Sequence, residues 1–425
     1  MISLNRTSRP VQVGKDCSLG LLLLLLTSCS QPASRTSPTA GKTGSTGGSP
    51  AATGEKGSDD SPAASGTETP ANGTEDTQGK GEGVSDETST SAPKYTLLFV
   101  GGGSARIDTY RFDKASGTAT LLKSTPTPGA NPTFLAIHPA KKILIAGNES
   151  GNSIMSFRID AANGSLTLLN SQPMLGGPAH VAVDTEAKWA FAASYGNGHV
   201  ASYPIAADGK LGAASSDLQA GQNAHQIVFS PTGNHIWVPC LGSNTIAHYA
   251  FSTAGQWTPL APAALQVGSG GPRHLAVHPN GTWVYLMKEL TSSVQPLTYD
   301  GSTLVLNGNA VSALSTFTGP NTGAEIAVHP NGKFLYSSNR GDDSIAIFSI
   351  SDTGAISLIK TVKTGGSTPR HFALDSSGIW MSVANQNQGG VTLFKVNAET
   401  GELTPKGSRI VFESAQFAEI VDFAE

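Results

Sequence analysis

The side chains able to bind an anion and move a proton gather at two recurring places in this chain. One is the start of a short apolar strand, where His180, His225, Arg273, His274, Glu325, Arg370 and His371 stand. The other is the end of the strand that follows, where Asn148, Glu149, Tyr195, Cys240, Glu289, Asn339, Arg340 and Gln386 stand. Only 14% of the chain is charged, so this is a concentration rather than an even spread. Arg273, Arg340 and Arg370 could clamp a phosphate or carboxylate through forked hydrogen bonds. His225 could act as general base toward water, given a pKa near neutrality. Glu289 could orient an arginine or a hydroxyl-bearing ligand. An arginine aimed at a developing oxyanion would stabilise attack on an ester carbonyl. These parts suit hydrolysis of a cyclic ester without a metal, and suit binding of an anionic sugar nearly as well.

Other constellations are weaker. Glu149, Glu289 and Asn385 are of types that ligate calcium, but the neighbouring arginines would repel a cation, so neither metal nor cofactor is expected. Cys240, in Val-Pro-Cys-Leu-Gly, reads as a small packed residue rather than a nucleophile. Gly101-Gly102-Gly103 precedes a strand and opens no helix, which argues against a nucleotide phosphate loop. His138, His278 and His329 lie in His-Pro turns at the far ends of their strands, where they are expected to support turns.

The elements that position these residues repeat. An apolar strand begins at Phe134, His180, Gln226, His274, Glu325, His371 and, read by pattern, Glu419, in steps of 46, 46, 48, 51, 46 and 48 residues. A second strand follows each of the first six, as in KKILIAGN and KFLYSSN, then a third, a Gly-bearing turn and a weaker fourth. Four strands per unit of about 47 residues is the pattern of a β-propeller. The body opens with TLLFVGG, RIDTYRF and TATLL, which lack a first strand, and EIVDFA near the C-terminus supplies one. The expectation is all-β: seven blades over residues 95–425, the last closed by three N-terminal strands and one C-terminal strand. First-strand starts and second-strand ends then share one face, around the mouth of a central channel.

Residues 1–94 read differently. Arg6, Arg9 and Lys15 precede a leucine run from Leu21 to Leu26, too short to span a bilayer, as in a secretory signal over residues 1–28. Leu26-Thr27-Ser28-Cys29 resembles a bacterial lipobox, which implies lipid on Cys29, membrane attachment through that lipid and, with Ser30 next, outer-membrane sorting. Residues 29–94 are Ser-, Thr-, Gly- and Pro-rich with no aromatic residue, and are expected to form a disordered tether. The net charge is only −4 across 425 residues, which leaves no electrostatic footprint for nucleic acid. Of three cysteines only Cys240 falls in the propeller, so no disulfide framework forms within it. A monomer is expected.

Residues 95–425 resemble the seven-bladed propeller lactonases of the bacterial 6-phosphogluconolactonase type and the fungal carboxymuconate lactonizing enzymes. The resemblance is carried by Gly271-Pro272-Arg273-His274 with Glu289-Leu290, and by Gly332-Lys333-Phe334-Leu335-Tyr336 running into Ser338-Asn339-Arg340. Asn131-Pro132 with Asn148-Glu149, and Pro369-Arg370 with Ala384-Asn385-Gln386, add to it. It implies a catalytic set of His225, Arg273, Glu289 and Arg340 acting on a small-molecule lactone, with Glu149, His180, Glu325 and Arg370 in substrate contact. The chain departs from the family pattern at Asn223, where a paired histidine is common, and at Gly101 to Ser104. Export would separate such an enzyme from the phosphorylated lactone of the cytoplasm. Two alternatives remain: a non-catalytic envelope propeller binding glycans, peptides or a protein partner, and cycloisomerase chemistry on a muconate-like diacid.

Overall fold

The computed structural model describes residues 94–424, apart from 128 and 130. The signal peptide, the lipidated Cys29 and nearly all of the tether expected from the sequence lie outside the described residues. Within them there are 29 strands and no helix, arranged as seven antiparallel sheets. Six sheets are consecutive in sequence. The seventh pairs the C-terminal strand Ala415–Phe423 with Tyr95–Gly102, followed by Arg106–Asp113 and Thr118–Pro126. The register Tyr95↔Phe423 to Val100↔Ala418 runs unbroken, so the ring closes by ordinary strand pairing.

The blades pack face to face because their second strands are apolar on both faces. Ile143–Asn148 and Phe334–Asn339 are buried at every residue, as a strand sandwiched between two neighbouring sheets requires. Seven hydrophobic clusters result, one at each interface between adjacent blades. Phe157, Phe191, Trp237, Tyr285 and Tyr336 are fully buried in them, and burial of each such ring is worth roughly 1.5–3 kcal/mol. A hydrogen bond recurs alongside. Ser156 Oγ, Ser202 Oγ, Tyr285 OH and Tyr336 OH each donate to a turn glycine carbonyl of the next blade, at 2.6, 2.8, 3.1 and 3.0 Å. At Gly255 and Gly117 the turn takes a positive φ and an aromatic ring from the preceding blade, Trp189 or Trp380, occupies the space of a Cβ.

The histidines of the His-Pro turns are structural. Nδ1 of His138, His278 and His329 accepts a backbone N–H of its own turn. Nε2 donates to Thr185 O, Gly332 O and Gly378 O of the following blade.

The innermost strands carry the feature that matters for the site. In six blades the pairing skips just after the strand starts, between Pro132 and Phe134, Pro178 and His180, Pro272 and His274, Gly323 and Ile326, Pro369 and His371, and Ala415 and Phe417. A β-bulge of this kind leaves a residue out of the ladder and re-aims its side chain. In the third blade the regular inner strand shrinks to Val228–Phe229, and His225 is held instead by its N–H to Pro239 O at 2.9 Å. The residues at bulge level are thus Thr133, Ala179, His225, Arg273, Ala324, Arg370 and Gln416. One residue deeper stand Phe134, His180, Gln226, His274, Glu325, His371 and Phe417.

The last of these corrects the sequence pattern. Phe417 pairs with Gly101, as Phe134 pairs with Gly147, so Phe417 and not Glu419 is the equivalent position. Glu419 lies two residues further along, level with Ala136, Ala182, Val228, Ala276, Ala327 and Ala373.

Candidate active site

Arg273 is the centre of the bulge level. It comes from the fourth blade, is only 2% exposed, and donates through Nη1 to Ala324 O of the fifth blade at 2.7 Å. Its Nε lies 3.1 Å from Glu289 Oε2, as an ion contact outside good hydrogen-bond alignment. Glu289 follows directly on the strand Trp283–Lys288 and is fixed through its backbone: its N–H reaches Gly271 O and its carbonyl accepts Gly323 N–H, both at 2.8 Å. The other carboxylate oxygen, Oε1, receives Arg340 Nη2 at 2.9 Å. Arg340 Nη2 also contacts Gly323 O at 3.0 Å. One carboxylate therefore bridges two guanidiniums across the junction of two blades. Burial, with Arg340 and Arg370 nearby, pushes the Arg273 pKa down to about 9, which still leaves it cationic at neutral pH.

Arg370 occupies the bulge of the sixth blade and forms no ion pair within 4 Å among the described residues. Burial and then Arg340 lower its pKa, and Glu149, Glu289 and Tyr195 oppose that shift. Glu149 is half-buried at the end of the first blade's second strand, held by its N–H to Asn131 O. Three arginines face two carboxylates here, so the group is net cationic.

His225 is 3% exposed and makes no bond to the arginines. Its Nδ1 lies 3.2 Å from His274 Nε2, and His274 Nδ1 lies 2.8 Å from Glu325 Oε1. Tyr195 meets the His225 ring edge to face at 5.6 Å. Burial, then the charges of Arg273, His274 and Arg370, hold the His225 pKa well below the ordinary 6.5. It is neutral at pH 7.

The remaining residues expected at the site sit deeper. His180 is buried against Phe134 at 4.2 Å between ring centroids, and its Nδ1 accepts Ile227 N–H. Burial takes its pKa to about 3. Glu325 turns inward to His274, with its second oxygen 3.8 Å from His371 Nε2. Burial raises its pKa. The structure thus brings Arg273, Glu289 and Arg340 into direct contact, sets Arg370 and Glu149 at the same level, and places His180 and Glu325 one level below. Cys240 is fully buried, and burial raises its thiol pKa to about 12. Asn385 is buried, its Nδ2 directed to Val383 O, Gly390 O and Thr392 Oγ1. No group of three or more His, Cys, Asp or Glu is arranged to hold a metal among the described residues.

A cavity of about 730 Å³ occupies the other end of the axis. Its walls are alanines and valines of the inner strands with Glu325, His371 and Glu419, and it extends to the turns at Asp184 and Asp375. It contains none of the arginines, and its volume follows from the small residues level with Glu419. The arginine cluster and the cavity lie at opposite ends of the axis. The chain of His225, His274 and Glu325 was not visible as a unit in the sequence, because it joins three blades. Its signal there was the adjacency Arg273-His274 and Ala224-His225, which places neighbours on two successive levels.

The family model described as "Lactonase, 7-bladed beta-propeller" matches residues 90–420. The 6-phosphogluconolactonase of Yersinia pestis is 32% identical over 314 residues, which is 73% of this chain and 93% of that protein. The 6-phosphogluconolactonase of Pectobacterium atrosepticum is 31% identical over 294 residues, 68% of this chain and 88% of its own. Among solved structures, the periplasmic gluconolactonase of Pseudomonas aeruginosa superposes with a TM-score of 0.71 at 26% identity, over 77% of this chain and 99% of that one.

Proposed function

The chain belongs to the seven-bladed β-propeller lactonases, and on that premise we propose that it opens a sugar lactone at the arginine end of the axial passage. The observation that carries this is the carboxylate-bridged pair of Arg273 and Arg340, at the level of a neutral His225. A neutral imidazole can take a proton from water as the water oxygen bonds to the lactone carbonyl carbon. The carbonyl oxygen becomes an oxyanion, for which the Arg340 and Arg273 N–H groups are fixed donors. The ring C–O bond then breaks, and the ring oxygen takes the proton back from His225. The product is a hydroxy acid that ionises at neutral pH. Glu289 holds both guanidiniums in place and is itself held by two backbone hydrogen bonds.

Arg370, without an ion pair, is the arginine free to receive an acidic substituent, and Glu149 at the same level suits sugar hydroxyls. His180 and Glu325 lie too deep for an equal part in that contact. The N-terminal segment supports an exported lipoprotein anchored through Cys29, with the outer membrane as its site. An exported enzyme meets unphosphorylated or scavenged lactones, and the similarity to a periplasmic gluconolactonase points the same way.

The test is acid release from gluconolactone and from its 6-phosphate at pH 7, with spontaneous opening subtracted. Turnover of either above the blank supports the reading, and the preferred substrate identifies the head group. Rates equal to the blank for both would overturn it and leave a binding module.

A further inference from the structure

We propose that Glu325, acting through His274, is the positioning residue that sets the tautomer of His225 and supports its charge during turnover. This rests on the reading of His225 as the base. Two short contacts fix the positions of the protons. A neutral imidazole carries one N–H, and the other nitrogen is an acceptor. His371, Arg273 and Arg370 oppose the effect of burial on Glu325, and Oε1 accepts the Ile326 N–H at 3.1 Å while Oε2 has no hydrogen-bond partner, so Oε1 is the acceptor toward His274. His274 Nδ1, 2.8 Å away, therefore carries the proton, and His274 Nε2 is left with its lone pair. His225 Nδ1, 3.2 Å from that lone pair, must be the donor. The second nitrogen of His225 then holds a lone pair. It has no partner among the described residues and is not sealed from solvent, so water can reach it.

This is the tautomer a general base needs, and it is the one that imidazole disfavours in water. The surroundings explain why support is required. Arg273 and Arg370 act on both histidines, and His180 and His371 also act on His274. Of these, Arg273 and Arg370, together with His274 itself, oppose a positive charge on His225, and Tyr195 meets the ring without neutralising it. Glu325 is the carboxylate joined to His225 by hydrogen bonds, through one intervening ring. When His225 takes the proton from water, its Nδ1–H strengthens toward His274, whose own N–H strengthens toward Glu325. The oxygen Oε2 makes no hydrogen bond and lies 3.8 Å from His371 Nε2, so Glu325 keeps a free acceptor as that charge develops.

The experiment is nitrogen-15 NMR of the full chain with labelled imidazoles, combined with steady-state kinetics of Glu325→Gln and Glu325→Leu. In the wild type, both His225 and His274 should be protonated at Nδ1. Glu325→Gln offers a neutral acceptor oxygen in the same place. It should retain both tautomers and keep kcat within about tenfold of wild type. Glu325→Leu should lose the tautomers and lower kcat by about a hundredfold or more, with KM changed less than about threefold. A wild-type His225 protonated at Nε2 would overturn the proposal, as would Glu325→Leu turning over at the wild-type rate. The wild-type spectrum needs neither a variant nor turnover. If the lactone is not hydrolysed at all, the function proposed above fails while the tautomer result still decides this one.

Discussion

The two ends of the axis are built by the same seven strands and carry different ionisable groups. At one end Arg273, Arg340 and Arg370 face Glu289 and Glu149. At the other, Glu419 stands among alanines with no ion pair, in a cavity that reaches Asp184 and Asp375. The difference between them is a matter of two or three residues along each inner strand. Positions between blades must fill a close-packed core, and they repeat from unit to unit. Positions facing the axis do not repeat from unit to unit, and the titratable residues of the candidate site gather there.

The largest expected effect comes from the arginine end. Arg340→Ala should lower kcat/KM for the preferred lactone by about a hundred- to a thousandfold, the usual loss for one oxyanion donor. Its side chain is 12% exposed and, among the described residues, ties to the neighbouring blade through the Glu289 contact alone, so the melting temperature should fall by no more than a few degrees, read by circular dichroism. Arg273→Ala should lose comparable activity and also stability. It leaves Glu289 short of one partner and cuts the tie to Ala324 O, at a cost of about 2–4 kcal/mol in denaturant titration. Equal stability of the two variants would break the distinction between a buried and a half-buried guanidinium.

The carboxylate end should behave oppositely. Burial holds the Glu419 carboxyl up near about 7, against an ordinary 4.5. Between those values the folded chain keeps a proton that the unfolded chain has released, so stability falls as pH rises through the window and levels off above it. Glu419→Gln is neutral throughout. It should match the wild type at about pH 4 and exceed it above pH 7 by on the order of 1–3 kcal/mol in equilibrium unfolding. A variant less stable than wild type at pH 8 would mean that the carboxylate has a partner there.

Two smaller effects sharpen the contrast. A base held well below 6.5 stays unprotonated on mild acidification, so kcat/KM should change less than about twofold from pH 8 to pH 6. A fall centred on the ordinary histidine value would place the base elsewhere. Cys240→Ser should leave turnover within about twofold, and the native thiol should resist Ellman's reagent until the protein unfolds.

The blades were legible in the sequence because a four-strand unit repeats with apolar second strands that no single-layer sheet would need. The proximity of Glu289, Arg340 and Arg273 also followed from topology, since strand ends and strand starts share a face. The register of the last inner strand did not. Shifting a strand by two residues keeps every side chain on its face, so the alternation in EIVDFA cannot distinguish Glu419 from Phe417 as the equivalent position. The bulges were equally hidden, because one unpaired residue leaves no mark on hydrophobic period. Without them, His225 and His274 could not be assigned to successive levels or joined to Glu325.

The most direct test sets the two ends side by side: lactone hydrolysis at pH 7 by the wild type, Arg340→Ala and Glu419→Gln, with spontaneous opening subtracted. The expected result is turnover by the wild type, its loss in Arg340→Ala, and wild-type rates in Glu419→Gln. Turnover that survives Arg340→Ala and disappears in Glu419→Gln would contradict it, and would move the reaction to the cavity at the opposite end.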